Sequence, residues 1–254
     1  MILGFCRHVS KGWAALEIKG FIHNTLLDWE GRIAAIVFTP GCNCRCPYCH
    51  SPHLVFDTDD LETIPEETVL DFMQSNRAWI DGLVITGGEP TILPDLREFL
   101  ARLKEGRIPV KLDTNGSRPE ILRDILDRGL VEYVAMDVKA PREKYQQTVG
   151  VALDVEAVVQ SVRMLIDGDV DYEFRTTINP TMELPGDIEK IARWINGARR
   201  YRLQGFRPGN CLDVSLNDKA RMPAKMLFEC ARIAEEFVDD CRVRGESAAP
   251  TNSE

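Results

Sequence analysis

Residues 33–49 read Ile-Ala-Ala-Ile-Val-Phe-Thr-Pro-Gly-Cys-Asn-Cys-Arg-Cys-Pro-Tyr-Cys, an apolar run, a turn, and then four thiols within eight residues. Thiolates this crowded repel one another unless a cation or a disulfide compensates. A loop this short cannot pair all four as unstrained disulfides. The segment therefore reads as a metal site. Cys42, Cys46 and Cys49 give C-x3-C-x2-C, which holds three corners of an iron-sulfur cube and leaves one iron without a protein ligand. Adding Cys44 gives four ligands, the set that a tetrahedral zinc or a fully ligated cluster needs. Structural zinc sites usually draw on two knuckles, and here no second Cys or His pair follows downstream.

Working outward from that loop, short apolar runs alternate with amphipathic segments. Strands are expected at Ile33–Phe38, Leu83–Thr86, Val110–Asp113, Tyr133–Val138, Tyr172–Thr177 and Tyr201–Phe206, with an edge strand or lead-in hairpin within Trp13–Phe21. Helices are expected at Pro65–Asn76, Pro94–Glu105, Pro119–Arg128, Asp154–Asp167 and Asp187–Asn196, mostly opening on Pro or Asp. Thr63-Ile64-Pro65-Glu66 has the form of a capping box. A further stripe, Met226, Cys230, Ile233, Phe237 and Cys241, predicts a C-terminal helical extension over 222–241. Six βα units imply an α/β fold with a parallel sheet. Either an open doubly wound sheet or a partial barrel satisfies that pattern, since both bury their strands on two faces.

The chain has 254 residues, 44% of them hydrophobic, enough for one sizeable domain over residues 1–245, with 246–254 as a disordered tail. A net charge of -9 disfavours nucleic acid as a partner. No apolar run is long enough for a membrane span and no signal peptide is apparent, so a cytoplasmic protein is expected. The eight cysteines then point to reduced thiols and metal chemistry. Cys230 and Cys241 fall on the helical stripe and read as core.

Unusual residues recur just after the expected strands, where ligands gather in parallel α/β folds. Thr86-Gly87-Gly88-Glu89-Pro90 follows the second, Asp113-Thr114-Asn115-Gly116 ends the third, Asp137-Val138-Lys139 ends the fourth and Arg175 ends the fifth. Each has a plain alternative: a tight turn, a solvated lysine, or a salt bridge, for Arg175 with an acid such as Glu173.

Together these stretches resemble the radical S-adenosylmethionine (radical SAM) superfamily. Cys42, Cys46, Tyr48 and Cys49 fill its C-x3-C-x-aromatic-C loop, and Gly-Gly-Glu-Pro matches its motif for the SAM amino group. Leu-Asp-Thr-Asn-Gly and Ala-Met-Asp-Val-Lys-Ala-Pro look like segments of glycyl-radical-enzyme activating proteins. Ile18–Phe21, Phe38–His50, Leu83–Thr91 and Tyr201–Pro208 add a likeness to the activating proteins of anaerobic ribonucleoside-triphosphate reductases, over a core of about 18–213. The resemblance implies a partial (β/α)6 TIM-like barrel. It also implies a 4Fe-4S cluster on Cys42, Cys46 and Cys49 whose open iron takes SAM. SAM contacts would come from Tyr48 (adenine), Thr86, Gly87, Gly88, Glu89, Asp113, Asn115, Lys139 and Arg175. Asp113, Thr114 and Asp137 would surround a monovalent cation.

The implied activity is reductive cleavage of SAM to a 5'-deoxyadenosyl radical, which takes a hydrogen from a glycine of the partner reductase. A low-potential donor such as flavodoxin or ferredoxin would supply the electron. The cofactor carries the chemistry and no side chain is needed as a general acid or base. The basic run Arg199, Arg200, Arg202 and Arg207 is the expected docking surface. Two other readings stay open: a radical SAM enzyme acting on a small molecule, like the deazaguanine-forming synthases, and a non-catalytic iron-sulfur or zinc assembly module. The sequence leaves the role of Cys44 undecided.

Overall fold

The computed structural model describes residues 15–56 and 58–245. Cys6, the start of the Trp13–Phe21 segment and the tail expected at 246–254 lie outside the described residues. Among the described residues, eight strands form one sheet: β1 (Gly20–Thr25), β2 (Ala34–Thr39), β3 (Gly82–Gly87), β4 (Val110–Thr114), β5 (Tyr133–Asp137), β6 (Asp171–Ile178), β7 (Tyr201–Gly205) and β8 (Cys241–Arg244). Eight α-helices accompany them: α1 (Pro52–Val55), α2 (Glu66–Ser75), α3 (Leu96–Glu105), α4 (Pro119–Asp127), α5 (Tyr145–Val149), α6 (Val155–Asp167), α7 (Gly186–Trp194) and α8 (Ala224–Ala234). Among the described residues, no helix is long and apolar enough to cross a membrane.

Strand order decides between the two architectures that periodicity left open. Every strand is hydrogen-bonded to its sequence neighbours, β1 through β8 in order, with β1 antiparallel to β2 and all later pairs parallel. A doubly wound sheet reverses its order at a switch point, and this one does not. It curls as a partial barrel, and β1 and β8 are not paired with each other, so one side is left open.

Strand alternation separates two environments. Ala35, Val37, Leu83, Ile85, Val110, Leu112, Val134, Met136 and Phe174 join one core with the outer helices. The opposite face lines the barrel interior, where Ala34, Ile36 and Val84 pack on Trp29. Trp29 lies in the β1–β2 connection and closes the floor with its neighbours. Lys111 Nζ donates to the Asp28 carbonyl, and Glu30 accepts from Arg202 at 3.3 Å and Arg242 at 3.0 Å.

Three sequence expectations are corrected. The C-terminal helix stops at Ala234 rather than running to Cys241, which instead opens β8; α8 packs on α7, β7 and β8 as a crossover helix. The capping box does not form: Pro65 is the N-cap, while buried Glu66 accepts from Leu16 N and pairs with Arg102 of α3. The leading strand begins at Gly20, at the end of the expected Trp13–Phe21 segment, because Leu16 and Ile18 are drawn into the core.

Candidate active site

The cysteine loop leaves β2 at its C-terminal end and is held from three sides. From β3, Gly88 N donates to Thr39 O at 2.9 Å and Glu89 N to Gly41 O at 2.8 Å. At the end of α5, Val149 O accepts from Arg45 N at 2.7 Å. After β7, Leu212 N and Asp213 N donate to Cys49 O and Pro47 O, both at 2.9 Å. The glycines are there for this closeness. A Cβ on Gly88 would lie 1.7 Å from Gly41 O, and one on Gly87, whose φ is +126°, would lie 2.3 Å from Thr39 O. No side chain fits at either position.

One cavity brings together every residue assigned above: Cys42, Cys46, Tyr48, Cys49, Thr86, Gly87, Gly88, Glu89, Asp113, Thr114, Asn115, Asp137, Lys139 and Arg175, with Cys44 and Val55 beside them. Glu89 is buried and already engaged. Its Oε1 accepts from Thr91 N at 3.1 Å, from the Thr91 hydroxyl, and from Thr114 Oγ1 at 2.7 Å; its Oε2 accepts from Asn115 N at 2.6 Å. Glu89 thus ties the end of β3 to the end of β4, and only Oε2 keeps room for an ammonium donor. Burial pushes its carboxyl pKa up, and those hydrogen bonds oppose the rise.

Cys44 is buried within the loop and also lines the cavity. Its amide donates to Cys42 Sγ at 3.4 Å, and Asn115 Nδ2 reaches its sulfur at 3.6 Å. Asn115 also donates to Asn43 Oδ1 at 2.9 Å, and Asn43 donates to Ser117 at 2.7 Å, a clamp that Asn-Gly turn statistics do not reveal. A hydrogen bond from the Cys44 thiol lowers the Cys46 pKa to about 6 against the opposing effect of burial, with the Lys139 charge helping.

On the other wall, burial alone would lower the Lys139 pKa. The Asp137 carboxylate, 3.2 Å away, and the Cys46 sulfur reverse this and hold it well above an ordinary lysine. Asp137 itself loses solvation, but Arg175 and Lys139 overcome that and hold its pKa down to about 2. Arg175 Nε donates to Asp137 Oδ1 at 2.8 Å and its Nη1 to Asp113 Oδ2 at 2.9 Å. Its acidic partners are therefore these two rather than Glu173. The pair expected to hold a cation is already bridged by a guanidinium.

Sequence reading missed Lys111. It is 1% exposed and lies 3.8 Å from Asp113 and 3.4 Å from Glu173. In Val-Lys-Leu-Asp it looks like the solvent side of a half-buried strand. The expected docking run is also divided. Arg199, Arg200 and Arg202 lie at the start of β7, the floor end, where Arg200 meets Asp171 and buried Arg202 meets Asp240; only Arg207 follows β7 toward the cysteine loop.

The donor set suits the implied cofactors. Four thiols, those of Cys42, Cys46 and Cys49 with Cys44 among them, and two cations, Lys139 and Arg175, face one cavity beside buried Tyr48. Among the described residues, no three His, Cys, Asp or Glu side chains converge on one metal-ion position, as tetrahedral zinc requires. A cluster binds each ligand on a separate iron and needs no such convergence.

Comparison with known proteins agrees. A model described as the Radical SAM superfamily matches residues 36–195. Over 233 residues the chain is 32% identical to "Putative glycyl-radical enzyme activating enzyme MJ1227" of Methanocaldococcus jannaschii, covering 89% of this chain and 95% of that protein. Among solved structures, Streptococcus suis SuiB bound to S-adenosylmethionine superposes with a TM-score of 0.60 at 13% identity, over 83% of this chain and 52% of SuiB. QueE from Escherichia coli gives 0.50 at 15% identity, over 91% and 94%. These two share the fold. With its match running from β2 through α7, the chain is an enzyme that belongs to the radical SAM superfamily.

Proposed function

We propose that this chain is an activating enzyme for a glycyl radical enzyme. The observation that carries this reading is similarity over nearly the full length of a relative bearing that name, together with one cavity holding the three thiols, the Gly-Gly-Glu-Pro turn and the Lys139–Asp137–Arg175 wall. Family membership implies a 4Fe-4S cluster and SAM, which when bound supply the radical chemistry by reductive cleavage of SAM. Cys42, Cys46 and Cys49 would hold the cluster. Tyr48, Thr86, Gly87, Gly88, Glu89, Asn115 and Lys139 would orient SAM, with buried Tyr48 against its adenine. The protein's own contribution is orientation and exclusion of water.

The favoured partner is an anaerobic ribonucleoside-triphosphate reductase, and the electron donor a flavodoxin or ferredoxin. A barrel left open between β1 and β8 suits a protein substrate, because a glycine-bearing loop can enter from the side. Docking would use the cysteine-loop end near Arg207 rather than the floor arginines.

Anaerobic reconstitution, reduction and electron paramagnetic resonance with a candidate reductase test this directly. A glycine-centred radical that requires SAM is expected, and SAM cleavage triggered by a metabolite alone would replace the reading. Within the same preparation, Cys46→Ala should lose the cluster iron and SAM cleavage, whereas Cys44→Ala should keep both. Loss of iron in Cys44→Ala would overturn the three-thiol ligand set.

A further inference from the structure

The residues that the family resemblance gives to a monovalent cation do not fit one in this chain. The Thr114 hydroxyl donates to Glu89 Oε1 at 2.7 Å and accepts from Gly116 N at 3.1 Å. Asp137 Oδ1 and Asp113 Oδ2 are taken by the two arms of Arg175, and Asp137 Oδ2 by Lys139 at 3.2 Å. The remaining oxygen, Asp113 Oδ1, is buried without a hydrogen bond, and its charge is met from below by Lys111 Nζ at 3.8 Å.

Strand register builds this arrangement. Arg175 on β6 is the lateral partner of Asp137 on β5, and Asp113 on β4 is the partner of Ala135, two residues before Asp137. An Arg at 175 can therefore bond Asp137 beside it and reach across β5 to Asp113. Its planar, permanently charged fork offers diverging donors to two carboxylates at once, which a lysine cannot do. Two carboxylates thus face three cationic side chains, Arg175, Lys139 and Lys111, before any ligand arrives. A sodium or potassium ion placed there would sit against a guanidinium, with only Asp113 Oδ1, already facing Lys111, left to offset the repulsion.

We propose that Arg175 is a tethered counter-ion standing where a monovalent cation would otherwise be needed, so that the SAM site of this chain assembles without potassium or sodium. Arg175 is a positioning residue in this role. It fixes Asp113 and Asp137, and its Nη2, which has no hydrogen-bond partner among the described residues, remains available to a carboxylate of the ligand. The proposal rests on SAM as the ligand and does not depend on the identity of the partner enzyme.

The test is SAM binding to the anaerobically reconstituted full chain, by equilibrium dialysis at matched ionic strength in potassium, sodium or tetramethylammonium chloride. The wild-type Kd should agree within about twofold across the three salts, and a Kd about tenfold weaker in tetramethylammonium overturns the proposal. Arg175→Ala should bind at least about tenfold more weakly in tetramethylammonium and recover most of that on addition of potassium, which a merely structural arginine would not show. A loss that potassium does not repair also overturns the proposal. If Arg175→Ala does not fold, the wild-type salt series decides alone. Absence of SAM binding in every salt defeats the cofactor reading as well, whereas a salt-dependent Kd defeats this proposal only.

Discussion

Charged side chains line the barrel interior at both ends, but the two ends differ in what those charges can still do. At the upper end, Arg175 and Lys139 neutralise Asp113 and Asp137 while facing the cavity of the cysteine loop. At the floor, Glu173 is 1% exposed and meets Arg244 at 2.9 Å and Lys111 at 3.4 Å, with Arg202 at 3.9 Å. Arg202 in turn is spent on Asp240 and Glu30. Lys111 joins the two sets through Asp113. The floor charges thus satisfy one another, and the upper charges keep donors for a ligand. Ion pairs of the same chemistry brace the fold in one place and, on the proposed function, serve ligand binding in the other.

Removing Glu173 should separate these roles most sharply. Glu173→Leu leaves Lys111, Arg202 and Arg244 without their shared carboxylate, and breaking a buried pair from one side costs about 3–5 kcal/mol. For a chain of this size that lowers Tm by roughly 10 °C in thermal unfolding followed by circular dichroism. SAM affinity of the folded protein should stay within about twofold, since among the described residues no floor side chain lines the cavity. A Tm within about 2 °C of wild type would mean that water already solvates the floor charges.

Asp113→Asn probes the upper end. The side chain keeps its shape but gives up one of the two charges bridged by Arg175. The larger effect should now fall on SAM, with Kd weakened about tenfold, or about 1.4 kcal/mol, and Tm lowered by no more than about 4 °C. The reverse ranking, a large fall in Tm with unchanged Kd, would make the upper charges another structural brace and erase the contrast.

The sheet's outer face and the interior were unequally legible in the sequence. Apolar residues facing the helices, such as Val110, Leu112, Phe174 and Leu203, carry the strand pattern, and the six βα units followed from them. Their interior neighbours Lys111, Glu173 and Arg202 look like solvent-facing residues, because a period of two cannot tell a wet face from a lumen filled with ion pairs. The thiols and glycines of the cavity were readable because such close spacing is rare without a reason, whereas Asp113, Asn115, Asp137, Lys139 and Arg175 stood out only through the family resemblance. The bridging of both aspartates by Arg175 was not readable, since it depends on register across three strands. The end of α8 was missed because the stripe through Phe237 and Cys241 keeps helical spacing past the true boundary. Glu235, Glu236, Asp239 and Asp240 carried the signal, since a run of acids opposes the dipole at a helix C-terminus.

The smallest effect concerns the pair between Asp137 and Arg175, and acid titration of the cluster-free chain isolates it. The folded-state pKa of Asp137 is depressed to about 2, burial being outweighed by Arg175 and Lys139. In the unfolded chain an aspartate titrates near about 3.9. A depressed carboxyl contributes its stabilisation fully above the unfolded value and loses it as pH falls through the folded one, so the window runs from about pH 4 to about pH 2. A third of the side chain is exposed, and solvent screening limits the contribution to about 1 kcal/mol. Urea unfolding of wild type and Asp137→Asn should therefore differ by about that amount at pH 6, with the gap closing toward pH 2 because Asn carries no proton to gain. Taking the difference removes the carboxylates that do not share Arg175 with Asp137. A gap that stays constant with pH would mean that shape rather than charge holds Asp137 against Arg175, and the upper end would then owe its order to packing.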